Sequence, residues 1–372
     1  VAVTPAVHGT TAPGFEALRV EFAAVGHEEG AQLAVHVDGE PVADLWRGPG
    51  VEGDSLMGVF SSTKGAAFAV VALLVQQGAL DLDREVAFYW PEFAVEGKGA
   101  ATVRDLLGHR VGALGTDEGL TLDEVADDRA AAARIAGHRP YWRPGAALGY
   151  HALSVGALAG EVVRRVTGHT LQEEYERRLR RPFGLDFFLG LPEGEEHRVL
   201  PVLPPLDPPP QGPRDGLAGI AGNRHHPGMP ELAELPNLRV IRAGGPASVG
   251  GVASARGLAG LYAAVIGGLC TGATLAECAL VSSAGHDLVL GTHRVHGLGF
   301  MVGWPFLGAG AFGHDGAGGS MAFADPRAGL AFGYARRRFP SPGGAGQDAE
   351  RLATVARACA LARQGRRARR GR

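Results

Sequence analysis

The chain has little cysteine, little charge of either sign in excess, and no long apolar run; each shortage removes a class of function. Three cysteines occur among 372 residues, Cys270, Cys278 and Cys359. Their spacing matches no metal-ligand pattern, and an odd number builds no disulfide framework. Reduced thiols in a cytoplasmic protein are the economical expectation. A formal net charge of -3 with 20% charged residues supplies no broad basic field, so nucleic acid is not an expected partner. The longest apolar run, Ala66 to Val75, is about half of a membrane span, so no membrane association is expected. Val1 to His8 carries neither a basic stretch nor an apolar one, which gives no sign of a signal peptide. The pair His225-His226 has no further ligands at useful spacing and reads as loop rather than metal site. No metal and no cofactor are expected.

The elements that are present outline an α+β protein. Spaced apolar positions over 14–27 predict an amphipathic first helix. Ala31 to Val37, the turn Asp38-Gly39-Glu40 and Pro41 to Trp46 predict a β-hairpin, since Asp-Gly supplies the positive φ angles of a tight turn. A helix is predicted from Ser61 to about Gly78. A largely helical middle follows. It includes a capped helix at Thr102 with Asp105 three residues on, a helical stretch over 120–136, and another after Tyr150. Residues 201–230, rich in proline, read as irregular surface. Near the C-terminus Gly297–Gly303, Ser320–Ala324 and Gly329–Ala335 predict three strands. Gln347–Ala362 predicts a last helix, and 363–372 a basic disordered tail. We therefore expect one antiparallel sheet built from both chain ends (1–80 and 240–362), a helical lobe over 81–239, and a cleft between them.

Ser61 and Lys64 lie three residues apart, on one face of the predicted helix. A serine hydroxyl is a poor nucleophile until a base takes its proton, and a lysine serves as that base once burial lowers its pKa. The apolar run that follows is suited to bury it. Ser62, two residues from Lys64, points elsewhere. The bland alternative is that Phe60-Ser61-Ser62-Thr63 only caps a helix. Tyr150 follows the Pro144-Gly145 turn; a lone tyrosine usually packs its ring and bonds its hydroxyl locally. If Lys64 depresses its pKa, Tyr150 instead shuttles the proton between Ser61 and a leaving group. The glycine-rich turn over 313–319 lets backbone N–H groups approach a substrate closely.

In this order and spacing, Ser61-x-x-Lys64, Tyr150 behind Pro144-Gly145, and His314-Asp315-Gly316 resemble the motifs of the class C β-lactamase-like branch of the serine β-lactamase and penicillin-binding-protein superfamily, which includes the family VIII carboxylesterases. The likeness extends through Leu80–Asp83, Trp90–Phe93, Thr102–Gly112 and Pro144–Gly168. It implies the α/β sandwich of that superfamily. By the same resemblance Ser61 is the nucleophile, with Lys64 and Tyr150 managing its proton. The backbone N–H groups of Ser61 and Ala317 form the oxyanion hole, and His314, Asp315 and Gly316 line the substrate side. Two departures are visible. Ala152 stands where β-lactamases carry an asparagine, and His314 where they carry a lysine, which removes a fixed charge for a β-lactam carboxylate. Both point towards esterases.

The expected activity is hydrolysis of small or medium esters through an acyl-serine. One alternative is transfer of the acyl group to an amine or alcohol acceptor in natural-product biosynthesis. Another, from a different class, is a catalytically idle binding protein of the same fold. The α/β-hydrolase Gly-x-Ser-x-Gly elbow is absent.

Overall fold

The computed structural model describes residues 6–25, 29–207 and 214–370. Part of the proline-rich stretch read as surface, 208–213, falls outside them, as do Val1–Pro5. Nine antiparallel strands make the main sheet. From edge to edge they are β1 (His8–Thr11), β3 (Glu40–Arg47), β2 (Ala31–Val37), β12 (Leu330–Arg336), β11 (Met321–Asp325), β10 (Phe312–Asp315), β9 (Met301–Val302), β8 (His293–His296) and β7 (Ser283–His286). Both chain ends thus meet at the centre, where β2 pairs with β12. A small second sheet joins β4 (Met57–Gly58), β6 (Val252–Ala253) and β5 (Phe187–Phe188).

Alternation along β12 explains the layers. Leu330, Phe332 and Tyr334 point to one face, into a core shared with Phe15, Leu18 and Phe22 of the first helix (Glu16–Ala24) and with Leu352 and Ala356 of the terminal helix (Gly346–Arg370). The opposite face carries small residues, and there the Ala255–Ala264 helix lies on the sheet. Gly333 permits that contact, because a side-chain carbon on it would stand 2.4 Å from the Ala255 carbonyl oxygen. The Thr63–Gln76 helix is apolar nearly all round and buried from Thr63 to Leu74, as such a helix must be. It runs between the sheet and the helices of the middle segment, Val103–Leu107, Asp128–Gly137 and Ser154–Thr167. No helix among the described residues is long and apolar enough to cross a membrane.

The hairpin stands as expected, with Asp38 at φ 54° and Gly39 at φ 81°. The Thr102–Asp105 capping box is present in full. Four expectations need correction. Gly297–Gly303 contributes only Met301–Val302 as strand, because Gly299 and Gly303 both adopt φ 73°. The glycine-rich turn expected over 313–319 begins only at Gly316, because Gly313, His314 and Asp315 belong to strand β10, held by its ladder to β11. The single helix over 120–136 is two, Leu122–Ala126 and Asp128–Gly137, broken at Asp127, whose carboxylate caps the second. The basic tail is not disordered through 370: the terminal helix continues to Arg370. Arginine and alanine favour helix, and Arg363 and Arg367 pair with Glu40 and Asp38 at the hairpin turn, each at 2.7 Å.

Candidate active site

Ser61 lies in a tight 3-10 turn, Phe60–Ser62, immediately before the Thr63–Gln76 helix. Neither Ser61 nor Ser62 makes a side-chain cap, so capping does not account for the cluster. The turn is held from several sides. The Val59 N–H donates to the Gly251 carbonyl at 3.0 Å, and the Gly251 N–H to Thr63 Oγ1 at 2.9 Å. Phe60 takes φ 48°, a conformation that costs energy for a bulky residue and is found where surrounding structure imposes it. Ser62 points away from Lys64. Its hydroxyl meets Ser320 Oγ at 2.9 Å, and that serine donates to the Val59 carbonyl at 2.8 Å.

Lys64 is completely enclosed. Its Nζ donates to the carbonyls of Ala152 (2.8 Å) and Ser248 (2.9 Å) and reaches Ser61 Oγ at 3.2 Å. Burial lowers its pKa from the ordinary 10.5 to about 7, against the opposing pull of the Asp315 carboxylate. Near neutrality a large share of the amine is therefore unprotonated and able to accept a proton. Ala152, without the amide expected of a β-lactamase, still serves the lysine through its backbone. Ser248 is a participant that sequence reading missed; nothing local marks it, since only folding brings residue 248 to residue 64.

Tyr150 is delivered by an extended segment rather than a helix, as the following helix begins only at Ser154. The Leu288 N–H donates to the Leu148 carbonyl at 2.9 Å, and the Tyr150 N–H to Asp287 Oδ1 at 3.1 Å. The buried Asp287 carboxylate also takes the N–H groups of Val289 (2.8 Å) and Leu290 (2.9 Å). One side chain thus ties the β7–β8 turn to the Tyr150 backbone. The Tyr150 ring lies beside Lys64, with Nζ 4.9 Å from the ring centroid. The pKa expectation for Tyr150 is overturned: burial raises it, the hydrogen bond with Ser61 opposes this, and Asp315 adds to the rise. A lysine that has itself lost charge to burial is no strong field for a phenolate. The resting tyrosine is neutral.

His314 and Asp315 close the far side on β10. The His314 ring is 6.1 Å from that of Tyr150, and its Nδ1 meets the Asp315 backbone carbonyl at 2.7 Å. The Asp315 carboxylate, 4.0 Å from Nδ1, is not what orients the imidazole. Burial, with Lys64 adding, holds the His314 pKa well below its ordinary value, so this position carries no fixed charge near neutrality. Three further buried histidines back Tyr150. His109 is 4.9 Å from its ring, His296 is 6.3 Å away, and His151 neighbours His109 at 5.6 Å. Burial lowers all three, His151 to about 4 and His296 to about 3. The wall behind the tyrosine is therefore aromatic and uncharged.

Beyond β10 the chain turns through Gly316–Gly319, closed by Gly316 N–H to the Ser320 carbonyl at 2.9 Å. A side-chain carbon on Gly316 would stand 2.4 Å from the Val59 carbonyl oxygen, and one on Gly318 would stand 2.2 Å from the Phe60 ring. These two glycines let the turn lie flush on the residues that precede Ser61, which brings Ala317 to the same end of the cleft. His225 does not join the site; its Nε2 meets the Thr116 carbonyl at 2.9 Å, a loop anchor.

Known proteins share this arrangement of chain. Residues 15–357 match the Beta-lactamase family. The esterase/beta-lactamase LipL of Mycobacterium tuberculosis is 30% identical over 350 residues, covering 84% of this chain and 78% of that protein. The structure of EstA from Arthrobacter nitroguajacolicus Rue61a superposes with a TM-score of 0.91 at 42% identity, over 95% of this chain and 99% of the other. That of a family VIII carboxylesterase gives 0.86 at 33% identity, over 95% and 100%. With a match over nearly its whole length, the chain belongs to the Beta-lactamase family and is an enzyme of the β-lactamase-like serine hydrolases.

Proposed function

We propose that the protein is a carboxylesterase acting on small or medium esters through an acyl-Ser61 intermediate. The observation that carries this reading is the enclosed Lys64 amine, 3.2 Å from Ser61 Oγ with its pKa brought to about 7. As Oγ attacks the ester carbonyl, unprotonated Lys64 takes its proton, and the carbonyl oxygen becomes an oxyanion held by the N–H groups of Ser61 and Ala317. Tyr150, neutral at rest, gives its proton to the departing alkoxide. The Lys64 ammonium then restores the phenol, a downhill transfer because burial moves the two pKa values in opposite directions. Water enters, loses its proton by the same route and releases the acid. His314, Asp315 and Gly316 border the substrate.

An uncharged His314, and a methyl group at Ala152 in place of a side-chain amide, depart from the β-lactamase pattern at two substrate-facing positions and favour an ester. The likeness to a family VIII carboxylesterase supports the same choice, while LipL is named for both esterase and beta-lactamase. The Lys64 amine standing 3.2 Å from the Ser61 hydroxyl argues against an idle binding protein, which has no use for a base beside a nucleophile. Intact-protein mass spectrometry after mixing with a chromogenic short-chain ester tests the reading. The wild type should gain an acyl mass or show a burst, and Ser61→Ala neither. An adduct lost quickly in water supports hydrolysis; one discharged only by added amine or alcohol would transfer the assignment to an acyltransferase. Acylation of Ser61→Ala would remove Ser61 from the mechanism.

A further inference from the structure

Arg294 on β8 is an arginine the fold does not use. Several other half-buried arginines are neutralised: Arg104 by Asp83 and Glu277, Arg198 by Asp186 and Glu195, Arg242 by Glu196. Among the described residues Arg294 enters no ion pair, and its Nε is buried without a hydrogen-bond partner. Keeping an unpaired guanidinium half out of water is unfavourable for folding alone.

Its position in the strand sets it near Tyr150. Residues 294 and 296 lie on one face of β8, and His296 on that face stacks against Tyr150 with centroids 6.3 Å apart. Across the ladder, Arg294 is opposite Gly285. A side-chain carbon at Gly285 would meet nothing within 4 Å, so the space beside the arginine is open. The Asp315 carboxylate does not fill this role, since it turns towards the Ala345 N–H at 3.5 Å and makes no ion pair with Arg294. The positive field of Arg294 nonetheless reaches Tyr150, His314 and Asp315. A fork of donors beside the tyrosine, uncommitted and next to open space, is matched by a planar carboxylate.

We propose that Arg294 recognises a free carboxylate on the substrate, so that the site favours monoesters of dicarboxylic acids over neutral esters of the same length. The inference rests on the esterase reading and names a substrate class for it. The test compares mono-4-nitrophenyl adipate with 4-nitrophenyl hexanoate, which differ by the terminal carboxylate, on the wild type, Arg294→Gln and Arg294→Lys. The expected result is that the ratio of kcat/KM for the charged over the neutral ester falls about tenfold or more in Arg294→Gln, mostly through KM, and that Arg294→Lys recovers part of it. An unchanged ratio overturns the proposal, even if both rates fall together. Calorimetric titration with adipate itself separates the two readings. Adipate binding that Arg294→Gln abolishes, without turnover of either ester, keeps the carboxylate site and removes the esterase. Turnover of both esters with no charge preference does the reverse. Neither turnover nor adipate binding removes both.

Discussion

Two lysine amines are fully enclosed in this protein, and their surroundings are nearly the same. Lys64 donates to the carbonyls of Ala152 and Ser248, and Lys98 to those of Val95 (2.9 Å) and His138 (2.7 Å). Each lies near an aromatic ring, Tyr150 at 4.9 Å and Phe93 at 5.7 Å. Burial lowers both pKa values, and a carboxylate opposes it in each case, Asp315 for Lys64 and Glu96 for Lys98. Lys64 is the more deeply buried of the two, and the remaining direction of its amine ends on Ser61 Oγ at 3.2 Å. Burial and two carbonyls make a lysine tolerable inside a protein; a hydroxyl at the third position makes it a base with something to deprotonate. A lowered pKa alone does not identify a catalytic lysine.

The strongest way to break the comparison is to remove each amine in turn. Lys64→Met should lower kcat by about 10⁴-fold or more, since residues that act with a nucleophile as a unit fail together. Lys98→Met should leave the acyl-Ser61 burst in place. It should instead cost about 1–3 kcal/mol of stability through the unpaired Val95 and His138 carbonyls, read from denaturant unfolding. A comparable loss of turnover from Lys98→Met at full occupancy of the folded state would erase the distinction.

A smaller effect is expected where Asp287 ties the Tyr150 backbone to the β7–β8 turn. Asp287→Ala should lower kcat about tenfold by letting Tyr150 shift. Asp287→Asn, which keeps an acceptor oxygen, should recover most of that loss with the pH profile unchanged.

The pH profile sharpens the comparison further. Lys64 accepts a proton only when neutral, so kcat/KM should rise with pH and level off above about 7, falling about tenfold for each unit below. Stability has its own dependence. For His109, His151, His296 and His314 the folded pKa is depressed below the ordinary 6.5. As pH falls below 6.5 the unfolded chain takes up protons that the folded one refuses, and stability is lost on the acid side. Lys64 gives the same sign at higher pH: between about 7 and 10.5 the unfolded chain holds the extra proton, so stability attributable to this residue rises across that window. Lys64→Met should remove that rise while leaving the acid limb.

The smallest effect is expected at the terminal helix. Replacing Arg363 and Arg367 by Gln removes the partly exposed pairs with Glu40 and Asp38 and should cost no more than about 1 kcal/mol, without change in turnover.

Features whose causes are local are legible in the chain. The Asp38-Gly39 turn, the Thr102–Asp105 cap and the Ser61–Lys64 spacing each depend on a few adjacent residues, and each stands in the structure. Residues 313–315 look like turn in sequence because glycine and aspartate form strands poorly, and pairing with β11 holds them in the strand. The break at Asp127 is hidden because a carboxylate that caps one helix looks, in sequence, like a polar position within a longer one. Ser248, Asp287, Arg294 and the histidines behind Tyr150 leave no local signal, since their partners lie far away in the chain.

By itself the sequence determined which groups are available for chemistry: a hydroxyl and an amine one helical turn apart, a tyrosine behind a Pro-Gly turn, and a histidine before a run of glycines. Such spacings are short enough for backbone geometry to dictate. Tertiary structure alone decided the state of those groups. Enclosure lowers Lys64 and raises Tyr150, and four imidazoles are kept neutral by the walls around them. Protonation depends on desolvation and on charges brought close by folding, and neither is written in the spacing of residues along the chain.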